Sequence, residues 1–102
     1  MPAAAIALIV AADEPALFFS SVNAAERYLE WIDVKDGVYS IAYDPDGSIY
    51  RLRHDGNRVI IEKDQTMPAD PVGLNKLLQK AAGIKSSDNE FLLSLCSQRI
   101  ER

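Results

Sequence analysis

The sequence predicts an α+β domain, in which an antiparallel sheet (a three-strand meander plus an N-terminal strand or hairpin) packs against three helices. Three observations carry this. Two glycine-bearing turns, Asp44-Pro45-Asp46-Gly47 and Asp55-Gly56, separate three runs rich in alternating apolar residues. Three further stretches repeat apolar residues at helical spacing behind a capping residue. The length, 102 residues with 48% hydrophobic and 25% charged, is one globular domain's worth.

Ile6, Leu8 and Val10 alternate with Ala7 and Ile9, so both faces of the first run are apolar. A strand covered on both sides has this pattern, and over so short a run the periodicity also fits a buried helix. Asp13-Glu14-Pro15 turns the chain, and Leu17-Phe18-Phe19 is a second strand placed to pair back on the first. Ser20 and Ser21 are N-cap residues, since a serine oxygen accepts from the free amides of a first helical turn. The helix expected behind them runs from about Val22 to Ile32, with Val22, Ala25, Leu29 and Ile32 as its apolar stripe and Asn23, Glu26, Arg27 and Glu30 opposite. On such a helix Glu26 and Glu30 stand one turn apart and repel by a few tenths of a kcal/mol. Helix stability does not require that pair.

Asp36-Gly37 leads into the meander. If the first turn holds four residues, Tyr43 faces Ser48, Ile41 faces Tyr50 and Tyr39 faces Leu52. A two-residue Asp55-Gly56 loop then sets Leu52 against Val59 and Tyr50 against Ile61. Both turns send Tyr39, Ile41, Tyr43, Tyr50, Leu52, Val59 and Ile61 to one core face. The other face carries Arg51, Arg53, Arg58 and Glu62 among smaller apolar residues, so it is partly solvated. Asp70-Pro71 opens a second helix, striped by Leu74, Leu77, Leu78 and Ala81 and ended by Gly83. Ser87 with Glu90 reads as a capping box for a last helix through Phe91, Leu92, Leu95, Cys96 and Ile100.

Composition narrows function. One cysteine excludes an intrachain disulfide and any zinc site of several thiolates, and one histidine excludes histidine clusters. No complete catalytic constellation remains. His54 stands beside a turn with no nucleophile motif, and it reads as an exposed turn residue. Cys96 sits among leucines and reads as structural. Asp44, Asp46 and Ser48 imitate the start of a calcium loop, but the glycine and glutamate that such a loop needs are Ile49 and Asp55 here. The expectation is a protein that is not an enzyme and that uses no metal or cofactor. The net charge is −4, opposite to the basic balance of nucleic-acid binders. The acidity is concentrated: residues 13–46 hold eight acids and two bases, a net −6. The apolar run Ala3–Ala12 has no basic residue before it and is too short to span a bilayer as a helix. No membrane and a cytoplasmic location are therefore expected.

The stretch from Phe18 to Leu52 resembles small acidic bacterial immunity-type proteins of polymorphic or contact-delivered toxin systems. The shared features are Ser21, Val22, Ala25, Glu26, Tyr28, Leu29 and Glu30 on a helix, Ile32-Asp33-Val34 at its exit, Gly37 and Tyr39 on a strand, and Asp44 with Gly47 at a hairpin. The resemblance implies a non-enzymatic inhibitor that folds in the cytoplasm and caps a cognate toxin domain. Many such toxins are basic nucleases, for which an acidic surface is complementary. Glu26, Glu30, Asp33 and Asp36 are the candidate partner-binding residues, with Trp31 beside them as an aromatic anchor. The competing reading is a small non-catalytic binding or structural module, joined as a homodimer through a sheet edge or its mixed sheet face.

Overall fold

A computed structural model describes residues 5–101. Its strands are β1 (Leu8–Ala11), β2 (Ala16–Phe19), β3 (Ala42–Tyr43), β4 (Ile49–His54) and β5 (Val59–Lys63). Its helices are α1 (Val22–Tyr28), α2 (Trp31–Lys35), α3 (Pro71–Ala82) and α4 (Asn89–Cys96), and a single 3-10 turn follows at Ser97–Arg99. The strands form one antiparallel sheet in the order β2-β1-β3-β4-β5. The expected α+β class and the N-terminal hairpin are both present. No helix of the described residues is long and apolar enough to cross a membrane.

β1 resolves as a strand, and the reason is its two apolar faces. Leu8, Ile9 and Val10 are all fully buried. Leu8 and Val10 join Leu17, Phe19, Ala25, Leu29, Val59 and Ile61 in one cluster on the side of α1 and α2. Ile9 joins Phe18, Tyr43, Ile49, Leu74, Leu78, Leu92 and Cys96 on the side of α3 and α4. Helices therefore cover both faces of the sheet. Residues Ala3 and Ala4 of the apolar run lie outside the described residues.

Three expectations about the elements are corrected. The helix expected over Val22–Ile32 is two helices. Leu29 (φ −77°, ψ 143°) and Glu30 (φ −91°, ψ 135°) are extended between them. The break turns Trp31 onto the α1–α2-side cluster, whereas Ile32 is 49% exposed. Second, the cap of α4 is Asp88, whose carboxylate accepts from the Phe91 amide, not Ser87. Third, β3 keeps only two residues. Tyr39 packs on the α1–α2 side and Ile41 on the α3–α4 side, which a straight strand forbids for residues two apart.

The meander register shows how a turn controls faces. Asp44 and Ser48 are hydrogen-bond partners (Asp44 N to Ser48 O, 3.1 Å), and the Gly47 amide donates to Asp44 O at 2.9 Å. The loop is thus three residues long, a type I turn closed by Gly47 at φ +89°. Tyr43 pairs with Ile49 and Ala42 with Tyr50, one residue away from the expected register. A one-residue slip exchanges faces, so Tyr43 and Ile41 lie under α3 and α4, not with Tyr50 and Leu52. At the second turn the loop is Gly56-Asn57, flanked by Asp55 and Arg58 (Asp55 N to Arg58 O, 3.3 Å). Leu52 pairs with Ile61 and His54 with Val59, two residues from the expected register, so the faces survive. Val59 and Ile61 are buried, while Tyr39, Tyr50 and Leu52 are half-buried.

The first hairpin is seated on α3. The Asp70 amide donates to Gly47 O at 2.8 Å, and a Cβ on Gly47 would lie 2.7 Å from the Pro71 nitrogen. Asp70 caps α3 through the Gly73 amide (2.9 Å). A side chain on Gly73 would strike that carboxylate and the Tyr43 hydroxyl, which explains a glycine that otherwise only weakens a helix start. Asn75, Gln79 and Asn89 bind α3 to the Ser86 carbonyl and to α4. Truncation of Leu78, the fully buried α3 residue in the cluster with Ile9, Leu92 and Cys96, to alanine costs about 2–5 kcal/mol in urea unfolding. Leu52→Ala costs about 1–2 kcal/mol, because a half-buried side chain loses only part of its transfer energy. Equal costs for the two would contradict this assignment of the core.

Candidate functional site: the cleft between helix α1 and the edge of the sheet

The two edges of the sheet are finished differently. On β2, Phe18 makes a parallel bridge with Ile100, and the Glu101 amide donates to Phe18 O at 2.8 Å. The chain's own C-terminal segment therefore covers that edge. On β5 no strand follows. The bonds Asp55 N to Arg58 O and Asp64 N to Ile49 O, with the antiparallel alternation, make Arg58, Ile60 and Glu62 the residues bonded to β4. Val59, Ile61 and Lys63 therefore turn their amides and carbonyls outward. Among the described residues, one outward amide is capped: Ile61 N donates to Glu26 Oε2 at 2.7 Å. α1 also reaches the opposite edge strand, β2, where Tyr28 packs edge-on against Phe19 at 5.4 Å.

An open cleft of about 770 Å³ runs beside β5. Glu26 and Arg27 line it from α1, Glu30 and Trp31 from the N-cap and first residue of α2, and Arg53, Arg58, Ile60 and Glu62 from β4, β5 and the turn between them. Arg53 is paired with Glu62 (2.6 Å) and Arg58 with Asp55 (3.4 Å). Glu26, Glu30 and Arg27 have no ion pair among the described residues. Trp31 stacks on His54 with ring centres 5.5 Å apart. His54 is half-buried and its Nδ1 accepts from the Gly56 amide at 3.1 Å, so the expected exposed turn residue is instead the last residue of β4, partly covered by Trp31.

The candidate residues separate into two groups. Glu26, Glu30 and Trp31 meet at the cleft, although Glu26 and Glu30 do not share a helical turn, because the helix breaks at Leu29. The hydrogen bond to Ile61 accounts for Glu26, which helix stability left unexplained. Asp33 and Asp36 lie on α2 and at its C-cap. The Tyr39 phenol is pushed above its ordinary range by burial first and then by the charges of Asp33, Glu14, Tyr28 and Glu30. Tyr28, 46% exposed, is raised by the charge of Glu101 and its hydrogen bond, then by burial and by Glu14.

Sequence reasoning missed Asp64, the one buried charged residue among those described, at 8% exposure. Its Oδ1 accepts from the Thr66 hydroxyl (2.6 Å) and amide (2.9 Å), and its Oδ2 meets Arg51 Nε at 3.1 Å. These partners, Thr66 foremost, hold the carboxyl below its ordinary range against the opposing effect of burial. The signal in the sequence was Asp-x-Thr at a strand end, an Asx-type turn. Cys96 is buried and its thiol is raised by that burial. The Asp44 carboxylate is occupied by the Asp46 and Ser48 amides of its own turn. No group of three or more potential metal-ligating side chains occurs among the described residues.

Comparison with protein-family models, curated proteins and solved structures finds no match.

Two outcomes follow from this geometry. Glu26→Ala leaves the Ile61 amide to water in an open cleft and costs about 1–2 kcal/mol, while Glu26→Gln, which keeps an acceptor, costs less. Chemical denaturation of the two variants checks this. Asp64 has a folded-state pKa below its unfolded value near ~3.9, so its stabilisation is present above that value and fades as pH falls through the folded one. Asp64→Asn therefore lowers the melting temperature at neutral pH, and the gap to the unaltered protein narrows below about pH 4. A gap constant with pH would show that the carboxylate's charge is not what matters there.

Proposed function

We propose that this protein is a non-catalytic, immunity-type inhibitor that binds a basic toxin domain through the acidic face of α2 and the adjoining cleft. The observation that carries the reading is the placement of Glu30, Asp33 and Asp36 at the N-cap, first turn and C-cap of one short helix, next to a cleft lined by Glu26, Glu30, Trp31 and Ile32. Carboxylates raise the rate of encounter with a basic surface, and the effect fades with salt over a screening length of about 8 Å. Aromatic residues at the centre of such a surface supply the short-range energy. The resemblance of residues 18–52 to immunity-type proteins supports the same reading. Chemistry on a substrate is disfavoured by the states of the reactive groups: Cys96 is buried, and His54 is engaged by Trp31 and its own turn.

Charge reversal of Glu30, Asp33 and Asp36 together tests the reading. Glu26 is left unchanged because its loss would disturb the sheet edge. In cells co-expressing a cognate toxin domain, the folded triple variant no longer protects, and its association rate with that domain falls and loses its salt dependence. Full protection by a variant with an unaltered melting curve would exclude this face as the interface.

A further inference from the structure

We propose that the cleft beside β5 is a strand-addition site: it takes an extended peptide segment of a protein partner that presents an arginine to α1 and α2. The proposal rests on the reading of a basic partner above and specifies how that partner engages. The backbone supplies the first argument. Val59, Ile61 and Lys63 form a row of outward amides and carbonyls, the template that an added strand uses. The opposite edge is covered by the chain itself through Ile100 and Glu101. Among the described residues one side-chain oxygen bonds the β5 edge, and that oxygen sits where a pairing strand would place a carbonyl, 2.7 Å from Ile61 N. Glu26 thus acts as a stand-in for the missing strand and is displaced when the segment pairs.

Charge supplies the second argument. Side chains opposite Val59, Ile61 and Lys63 in an added strand project to the same face as those residues, toward α1 and α2. There Glu26, released from Ile61, joins Glu30, and Trp31 offers a ring face. Two carboxylates and an indole suit a guanidinium, through charge-assisted hydrogen bonds and a cation–π contact. On the other face Arg53 and Glu62 already neutralise each other, so small polar side chains suit it.

The test uses the full chain, isotopically labelled, and the peptide acetyl-Val-Thr-Arg-Thr-Val-amide followed by NMR. Shifts centred on the Val59–Lys63 amides and the Trp31 indole are expected. Methylation of the peptide nitrogen at arginine weakens binding by roughly tenfold, the loss of about one backbone hydrogen bond, and replacing the arginine with glutamate abolishes it. Glu30→Gln in the protein weakens binding without shifting the melting curve. The proposal is overturned by equal binding of the methylated peptide, by equal binding of the glutamate peptide, or by no shifts over Val59–Lys63 at millimolar peptide. It is overturned as well by concentration-dependent dimerisation that protects the same amides, since a second copy then holds the edge. If the peptide fails while the Glu30, Asp33 and Asp36 reversal still abolishes protection, strand addition falls and the acidic-face reading stands.

Discussion

A strand with no polar face cannot sit at the surface of a sheet, and β1 is such a strand. Leu8 and Val10 on one side and Ile9 on the other must each be buried, so the chain has to place helices on both faces. It does so with short elements: α1 and α2 on one face, α3 and α4 on the other. Two separate clusters result, each with β1 at its centre. The meander is fitted between these layers and joins β1 through Ala42 and Tyr43, with the Ala11 amide donating to Ile41 O as well.

That arrangement places the candidate site. To cover the β1 face, α1 must lie over the sheet from β2 toward β5, and its polar side then looks along the free edge. Glu26 meets the outward Ile61 amide because Ala25, its neighbour in the helix, is buried against the same cluster. The break at Leu29 lets one short connection serve two purposes. Leu29 stays buried, and Trp31 swings onto β4 near His54. Glu30 is left at the cleft and Asp33 near Tyr39. The acidic face and the edge cleft are therefore consequences of the same packing problem. A proposed partner-binding role makes use of surfaces that the fold had to create.

Much of the architecture was legible in the residues. The apolar run, the N-terminal hairpin, the Ser21 and Asp70 caps and Gly83 all stand where their chemistry puts them, and the two meander turns fall in the expected stretches with other loop lengths or bounds. The errors were of two physical kinds. A turn's type does not by itself give its length: Asp44-Pro45-Asp46-Gly47 closes through Asp44 and Ser48, so one residue of miscounting moved Tyr43 to the other face. Helical periodicity also does not show where tertiary contacts override it. Val22, Ala25, Leu29 and Ile32 are ideally spaced, yet burying Trp31 in place of Ile32 required extended residues between two helices. At the site, Glu26, Glu30 and Trp31 were found from charge and residue type. Arg53, Arg58 and Glu62 joined them only once β5 proved to be the edge. Asp64 was overlooked because its partners, Thr66 and Arg51, come from the local turn and from β4.

The bond between the Glu26 carboxylate and the Ile61 amide ties α1 to the open edge beside the cleft. Residue-resolved hydrogen exchange measures it directly. In the unaltered protein the Ile61 amide should be protected well beyond the outward amides of Val59 and Lys63. In Glu26→Ala it should fall to their level, while Ile60 and Glu62, bonded to β4, keep their protection. An Ile61 amide that exchanges as fast as Val59 and Lys63 in the unaltered protein would contradict the account.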